Sequence, residues 1–172
     1  MPNTTLETAM LALNIAASLT NLNDVGIARH SLPFNPTFSL TNGTGANQAN
    51  AGFADIRTLS ASGTENLDLS GSLLDAFGNT LAFTKIKAMV VLAASGNTND
   101  VLIGGAGSNG FITPFADATD VARVKPGGLL VMVAPDANGL AVTAGTGDIL
   151  KVTNSAGSTS VTYTIILIGV AT

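Results

Sequence analysis

Cysteine and tryptophan are absent from this 172-residue chain, and histidine and tyrosine occur once each. Without cysteine there are no disulfides, no thiolate nucleophiles and no cysteine-based metal sites. Charged residues make up 10% of the chain, about half the usual globular share. Glutamate is confined to Glu7 and Glu65. So thin an inventory of acids, bases and nucleophiles argues against an enzyme. The seven Lys and Arg residues are scattered, and the net charge is −4. A nucleic-acid surface needs several basic groups on one face, so no nucleic-acid partner is expected. The longest apolar runs, 89–94 and 165–171, fall far short of the ~20 residues that cross a bilayer, so no membrane partner is expected. Glu7 stands where an export signal would be basic, and Asn14 interrupts the apolar stretch behind it, so no such signal is expected.

What the chain has in excess is apolar surface. Hydrophobic residues make up 46%, and the mean hydropathy is +0.43. A domain of this size buries only about 70% of the surface its unfolded chain exposes. So apolar a composition points to burial against partners rather than to catalysis.

Two regions differ in character. Residues 1–50 read as an N-terminal arm or short helix followed by a Pro/Gly/Asn-rich loop. Thr4-x-x-Glu7 fits a capping box ahead of Leu6, Met10, Leu13 and Ala17 at helical spacing, which predicts a short helix within 1–22. Phe34, Phe38 and Leu40 suggest one short strand, and 41–50 reads as an exposed loop. Residues 51–172 read as a β-sandwich domain. Short apolar runs recur between turn signals such as Gly78-Asn79, Pro126-Gly127-Gly128 and Gly145-Thr146-Gly147. The expected fold is all-β: an antiparallel, jelly-roll-like sandwich with a short N-terminal helix or arm. The runs 89–94, 129–133 and 165–168 are apolar at both parities, as in strands covered on both faces. The second cover would come from the arm or from another subunit.

Several patterns imitate chemistry. Gly105-x-Gly107-x-x-Gly110 spells a dinucleotide fingerprint, but Pro114 follows where the phosphate-binding helix should run. Residues 99–109 spell one copy of a calcium β-roll repeat, an architecture that works only when repeats stack. His30 and Ser31 are neighbours without a third partner, and adjacent residues do not build a triad. Asp117, Asp120, Asp136 and Asp148 sit at turn positions. Tyr163 falls in the last long strand and reads as core edge. No catalytic, cofactor-binding or metal residue is assigned, and no cofactor is expected.

The order of elements carries a resemblance. Leu67-Asp68-Leu69, 75–80 (Asp-Ala-Phe-Gly-Asn-Thr), 83–88 (Phe-Thr-Lys-Ile-Lys-Ala), Gly96-Asn97-Thr98-Asn99, Gly104-Gly105, 124–128 (Val-Lys-Pro-Gly-Gly), Ala134-Pro135-Asp136, 143–148 (Thr-Ala-Gly-Thr-Gly-Asp) and Val161-Thr162-Tyr163 follow one another. This resembles a group of small tailed-bacteriophage virion proteins of the capsid cement or decoration kind. The resemblance covers 67–170 and leaves the first 50 residues outside it. It implies a sandwich or jelly roll that binds the capsid exterior, with the major capsid protein as partner and a homo-oligomer, dimer or trimer, as the working unit. A head-fibre, tail or receptor-binding virion module is the alternative, with 41–50 and 104–110 as contact loops. An enzyme or a calcium-dependent β-roll is the third.

Overall fold

The computed structural model describes residues 5–172, none of which is helical. The chain opens with one very long antiparallel hairpin, made of β1 (Thr8–Ala12), β2 (Ile15–Asn23), β3 (Gly26–Phe34) and β4 (Thr37–Asn42). β1 pairs with β4 from Thr8↔Thr41 to Ala12↔Thr37, and β2 with β3 from Ile15↔Phe34 to Asn23↔Gly26. Both ladders keep one register. Across their junction the Leu13 N–H donates to the Pro36 carbonyl at 3.1 Å. At its root the hairpin rests on the body: Leu40 is 1% exposed, and the short β5 (Gln48–Ala49) joins β4 in parallel. Every residue of β2 and β3 is exposed.

The helix expected within 1–22 is therefore replaced by strand. Thr4 of the expected capping box lies outside the described residues. The helical spacing of Leu6, Met10, Leu13 and Ala17 coexists with a period-two set: Ala9, Leu11, Leu13, Ile15, Ala17 and Leu19. An isolated short helix is marginal in water, whereas each strand here has a partner along its length. The stretch 41–50, expected to be loop, likewise contributes the end of β4 and all of β5, with Ala49 fully buried.

From Ala51 the chain forms β6 (Ala51–Leu59), β7 (Thr64–Asp68), β8 (Ser70–Leu74), β9 (Thr80–Ala93) and β10 (Val101–Gly104). There follow β11 (Val121–Val124), β12 (Leu129–Val133), β13 (Leu140–Ala141), β14 (Ile149–Asn154) and β15 (Val161–Ala171). One sheet has the order β12-β9-β15-β6, with β8 and β13 also on β9, and the other β11-β10-β14-β7. The pairs nest: β10 with β11, β9 with β12, β7 with β14 and β6 with β15. That is a second long hairpin, folded into two layers and sewn shut by the β15–β9 and β10–β14 ladders. Eight strands wound this way make a jelly roll.

The core lies between the layers. Met89, Val91 and Ala93 of β9 and Tyr163, Ile165 and Leu167 of β15 are buried from one side. Val101 and Ile103 of β10 and Leu150 and Val152 of β14 are buried from the other. Each large aliphatic side chain so placed is stabilised by about 1.5–3 kcal/mol. Below this core β9 and β15 change register at Ile168/Gly169, leaving Lys87 as the extra residue between Ile86 and Ala88. Backbones approach so closely there that a Cβ on Gly169 would strike the Lys85 carbonyl oxygen. Period-two parity makes a sharp prediction. Leu167→Ala should cost about 2–5 kcal/mol in urea denaturation of dilute protein. Ile166→Ser, one residue away on the other side of the sheet, should change it by no more than about 0.5 kcal/mol. Equal losses would contradict the register.

Candidate interaction surface

The sequence motifs that imitate chemistry become turns and ties. Gly104 and Gly105 adopt φ +107° and +70° where β10 ends, and no helix follows. His30 and Ser31 are consecutive in β3 and so lie on opposite faces of the exposed hairpin. Asp117 accepts from the Thr119 N–H at 3.0 Å, and Asp120 from the Asp117 N–H at 2.9 Å. Asp136 accepts from the Asn138 N–H at 2.7 Å, and Asp148 from the Gly145 N–H at 2.5 Å. Among the described residues no three His, Asp or Glu side chains converge as metal ligands.

Three polar clusters had no local sequence signal. Asn99 donates to Asn154 Oδ1 at 2.9 Å, while Asn154 donates to the Ser60 and Thr159 carbonyls at 2.9 and 2.7 Å. Together they tie down the turn between β14 and β15. Tyr163 Oη donates to Glu65 Oε1 at 2.5 Å, and Arg57 Nη1 donates to Glu65 Oε2 at 2.8 Å. Burial, reinforced by the Glu65 carboxylate, pushes the Tyr163 hydroxyl above its ordinary range. Asp100 takes Arg123 Nη1 at 2.6 Å and Lys125 Nζ at 3.2 Å, anchoring β11 to the start of β10. Beside the register change, Lys87 Nζ donates to the Asp136 carbonyl and Lys85 Nζ to that of Ala137 at 2.8 Å. Burial lowers the Lys87 pKa. A cleft of about 530 Å³ between the hairpin root and the loop after β8 includes Leu6, Asn42, Asn50 and Phe77 in its walls. Its amides are already engaged: Asn42 donates to the Leu6 carbonyl and Asn50 to that of Ala171. Each of these groups has a structural task.

The outward side of the β12-β9-β15-β6 sheet is different. Cross-strand register places Leu129, Leu92, Thr164 and Ile56 in one row. Val131, Val90, Ile166 and Ala54 form the next, and Val133, Ala88, Ile168 and Gly52 the third. No charged residue lies in any of the three rows. Leu129, Leu92, Val131, Ile166 and Ile56 are all exposed, Ile56 by 70%. With strands ~4.8 Å apart and same-face rows ~6.8 Å apart, these rows span about 300 Å². This is the outer side of the runs whose double-sided apolarity called for a cover. The N-terminal arm does not provide it within the chain, since all of β2 and β3 stands free.

Comparison with protein-family models, with curated proteins and with solved structures returned no match. The fold therefore defines an architecture, a jelly roll with a projecting hairpin, and the surface speaks for itself.

The Asp100 tie gives a pH test. Chiefly the Arg123 guanidinium, helped by Lys125 and opposed by partial burial, holds this carboxyl below its usual 3.8. A carboxyl depressed by folding stabilises above its unfolded pKa and loses that contribution as pH falls through the folded one. Asp100→Asn should lower the urea midpoint at neutral pH and flatten its decline below about pH 4. Parallel declines in variant and parent would contradict this role.

Proposed function

We propose that this chain is a virion structural protein, a cement or decoration protein that binds the exterior of a phage head between major capsid subunits. The observation that carries the reading is the uncharged apolar sheet face presented by the jelly roll. A building block needs stiffness and flat contact surfaces, and it needs no reacting groups. The polar side chains described above serve turns, strand ties and core edges, which suits that role. The sequence resemblance over 67–170 supports the same reading. A fold alone hosts many functions, so the weight rests on the surface.

Magnitudes bear on how such a protein would work. Removing about 300 Å² of apolar surface from water contributes about 7 kcal/mol. Association costs about 4–15 kcal/mol in lost freedom alone. A single face is therefore near break-even, and firm attachment needs several contacts made at once. Repetition over a shell supplies them.

The test adds purified chain to expanded, empty heads of the phage that encodes it. The expected result is stoichiometric density over the whole head by cryo-electron microscopy. Absence of binding would refute the proposal, as would antibody labelling of intact particles confined to one vertex or to the tail tip.

A further inference from the structure

The long hairpin carries an apolar stripe that outruns the body it packs on. In its register Ala9 faces Leu40, Leu11 faces Phe38, Ile15 faces Phe34, Ala17 faces Leu32 and Leu19 faces His30. These pairs share one side of the ribbon. At the root that side is turned inward: Leu40 is 1% exposed, and Leu11 and Phe38 are half-buried. Beyond Leu13 the body ends and the stripe continues into solvent, with Leu19 61% and Phe34 57% exposed. An isolated two-stranded ribbon is marginally stable at best in water. A stripe that begins on one body and runs on past it is built to finish on another.

We propose that the arm of one copy lies across the outer β12-β9-β15-β6 face of a second copy of this chain. The two surfaces match. Neither carries an Asp, Glu, Lys or Arg on the contacting side; the ribbon is apolar there from Ile15 and Phe34 to Leu19, with His30, Asn21 and Asn23 toward its tip, and its nine pairs make it about 30 Å long, enough to cross the face. Sheets with such sides stack about 10 Å apart through interdigitated side chains. A charged or strongly polar partner would leave both surfaces unsatisfied, whereas a second copy satisfies both with one type of contact. A ribbon about 10 Å wide laid across this face overlaps it over about 200 Å², so each contact buries about 400 Å² counting both sides. Reciprocal exchange in a two-fold pair doubles this to about 800 Å², the size of a weak interface whose occupancy depends on concentration. A head-to-tail ring would use the same contact and also close. The inference rests on reading the apolar surfaces as contact surfaces; it concerns the chain without any capsid, where the sheet face that a head would engage is open to a second copy.

The absence of cysteine makes the test clean. Leu19→Cys protein is mixed with Ile166→Cys protein, and a short bis-maleimide is added. The expected product is the mixed 19–166 dimer, in excess over either like pair, whereas Ser72→Cys on β8 in place of Ile166→Cys gives none. In parallel, light scattering should show an oligomer of the parent chain. Leu19→Asp with Leu32→Asp, both at exposed positions, should weaken self-association at least about ten-fold while leaving circular dichroism unchanged. A monomeric parent, a dominant 166–166 product (faces packed on each other), or an oligomer indifferent to the double substitution would overturn the proposal. No heads are present, so failure here leaves head binding to its own test.

Discussion

Strand β15 is the seam on which the structure depends. It pairs along one edge with β6 and along the other with β9, which closes the folded hairpin into a roll. Its register also assigns sides. Ile165 and Leu167 enter the core while Ile166 and Ile168 face outward, and the same parity is imposed on β9, β12 and β6. A slip of one residue would exchange the two sets. In most sheets that exchange is forbidden because one set is polar. Here both sets are apolar, so hydrophobicity alone discriminates weakly. What pins the register is elsewhere: Tyr163 bonded to Glu65, and the register change that seats Gly169 against the Lys85 carbonyl.

That arrangement explains the scarcity of charge. A sheet with one solvated face would place Lys, Glu or Thr at alternate positions of 89–93, 129–133 and 165–168. These strands carry Val, Leu and Ile instead. Several of the charged groups that remain form ties: Arg123 and Lys125 on Asp100, Arg57 on Glu65 and Asp55. The apolar excess is concentrated on one sheet face and one ribbon, and both are left open by the fold of a single chain.

Much of this was legible in the residues. Turn pairs such as Gly78-Asn79 and Gly96-Asn97 punctuate the strands they bound, because local backbone demands choose Gly and Asn directly. Double-sided apolarity at β12 and in the middle of β9 and β15 announced a missing cover. The N-terminal segment misled, since Leu13 and Ala17 fit a helical spacing with Leu6 and Met10 and equally a strand spacing with Ala9, Leu11, Ile15 and Leu19. Only the partner strand, Thr37–Asn42 and the ribbon before it, decides between the two. The polar clusters were hidden for a related reason. Tyr163 and Glu65 lie 98 residues apart, and Asn99 and Asn154 55 apart, so no local pattern joins them. The jelly-roll winding itself depends on nested pairing across the whole chain.

The central claim is that the free-standing ribbon is seated on another copy when the protein is assembled. Hydrogen–deuterium exchange of the β2–β3 amides, followed as purified protein is concentrated, tests it most directly. Amides of a lone two-stranded ribbon open readily, while those of a ribbon packed on a sheet do not. Protection across Ile15–Asn23 and Gly26–Phe34 should rise with concentration, in step with oligomer formation. Fast exchange of these amides at every concentration, in a protein whose roll is fully protected, would contradict the account.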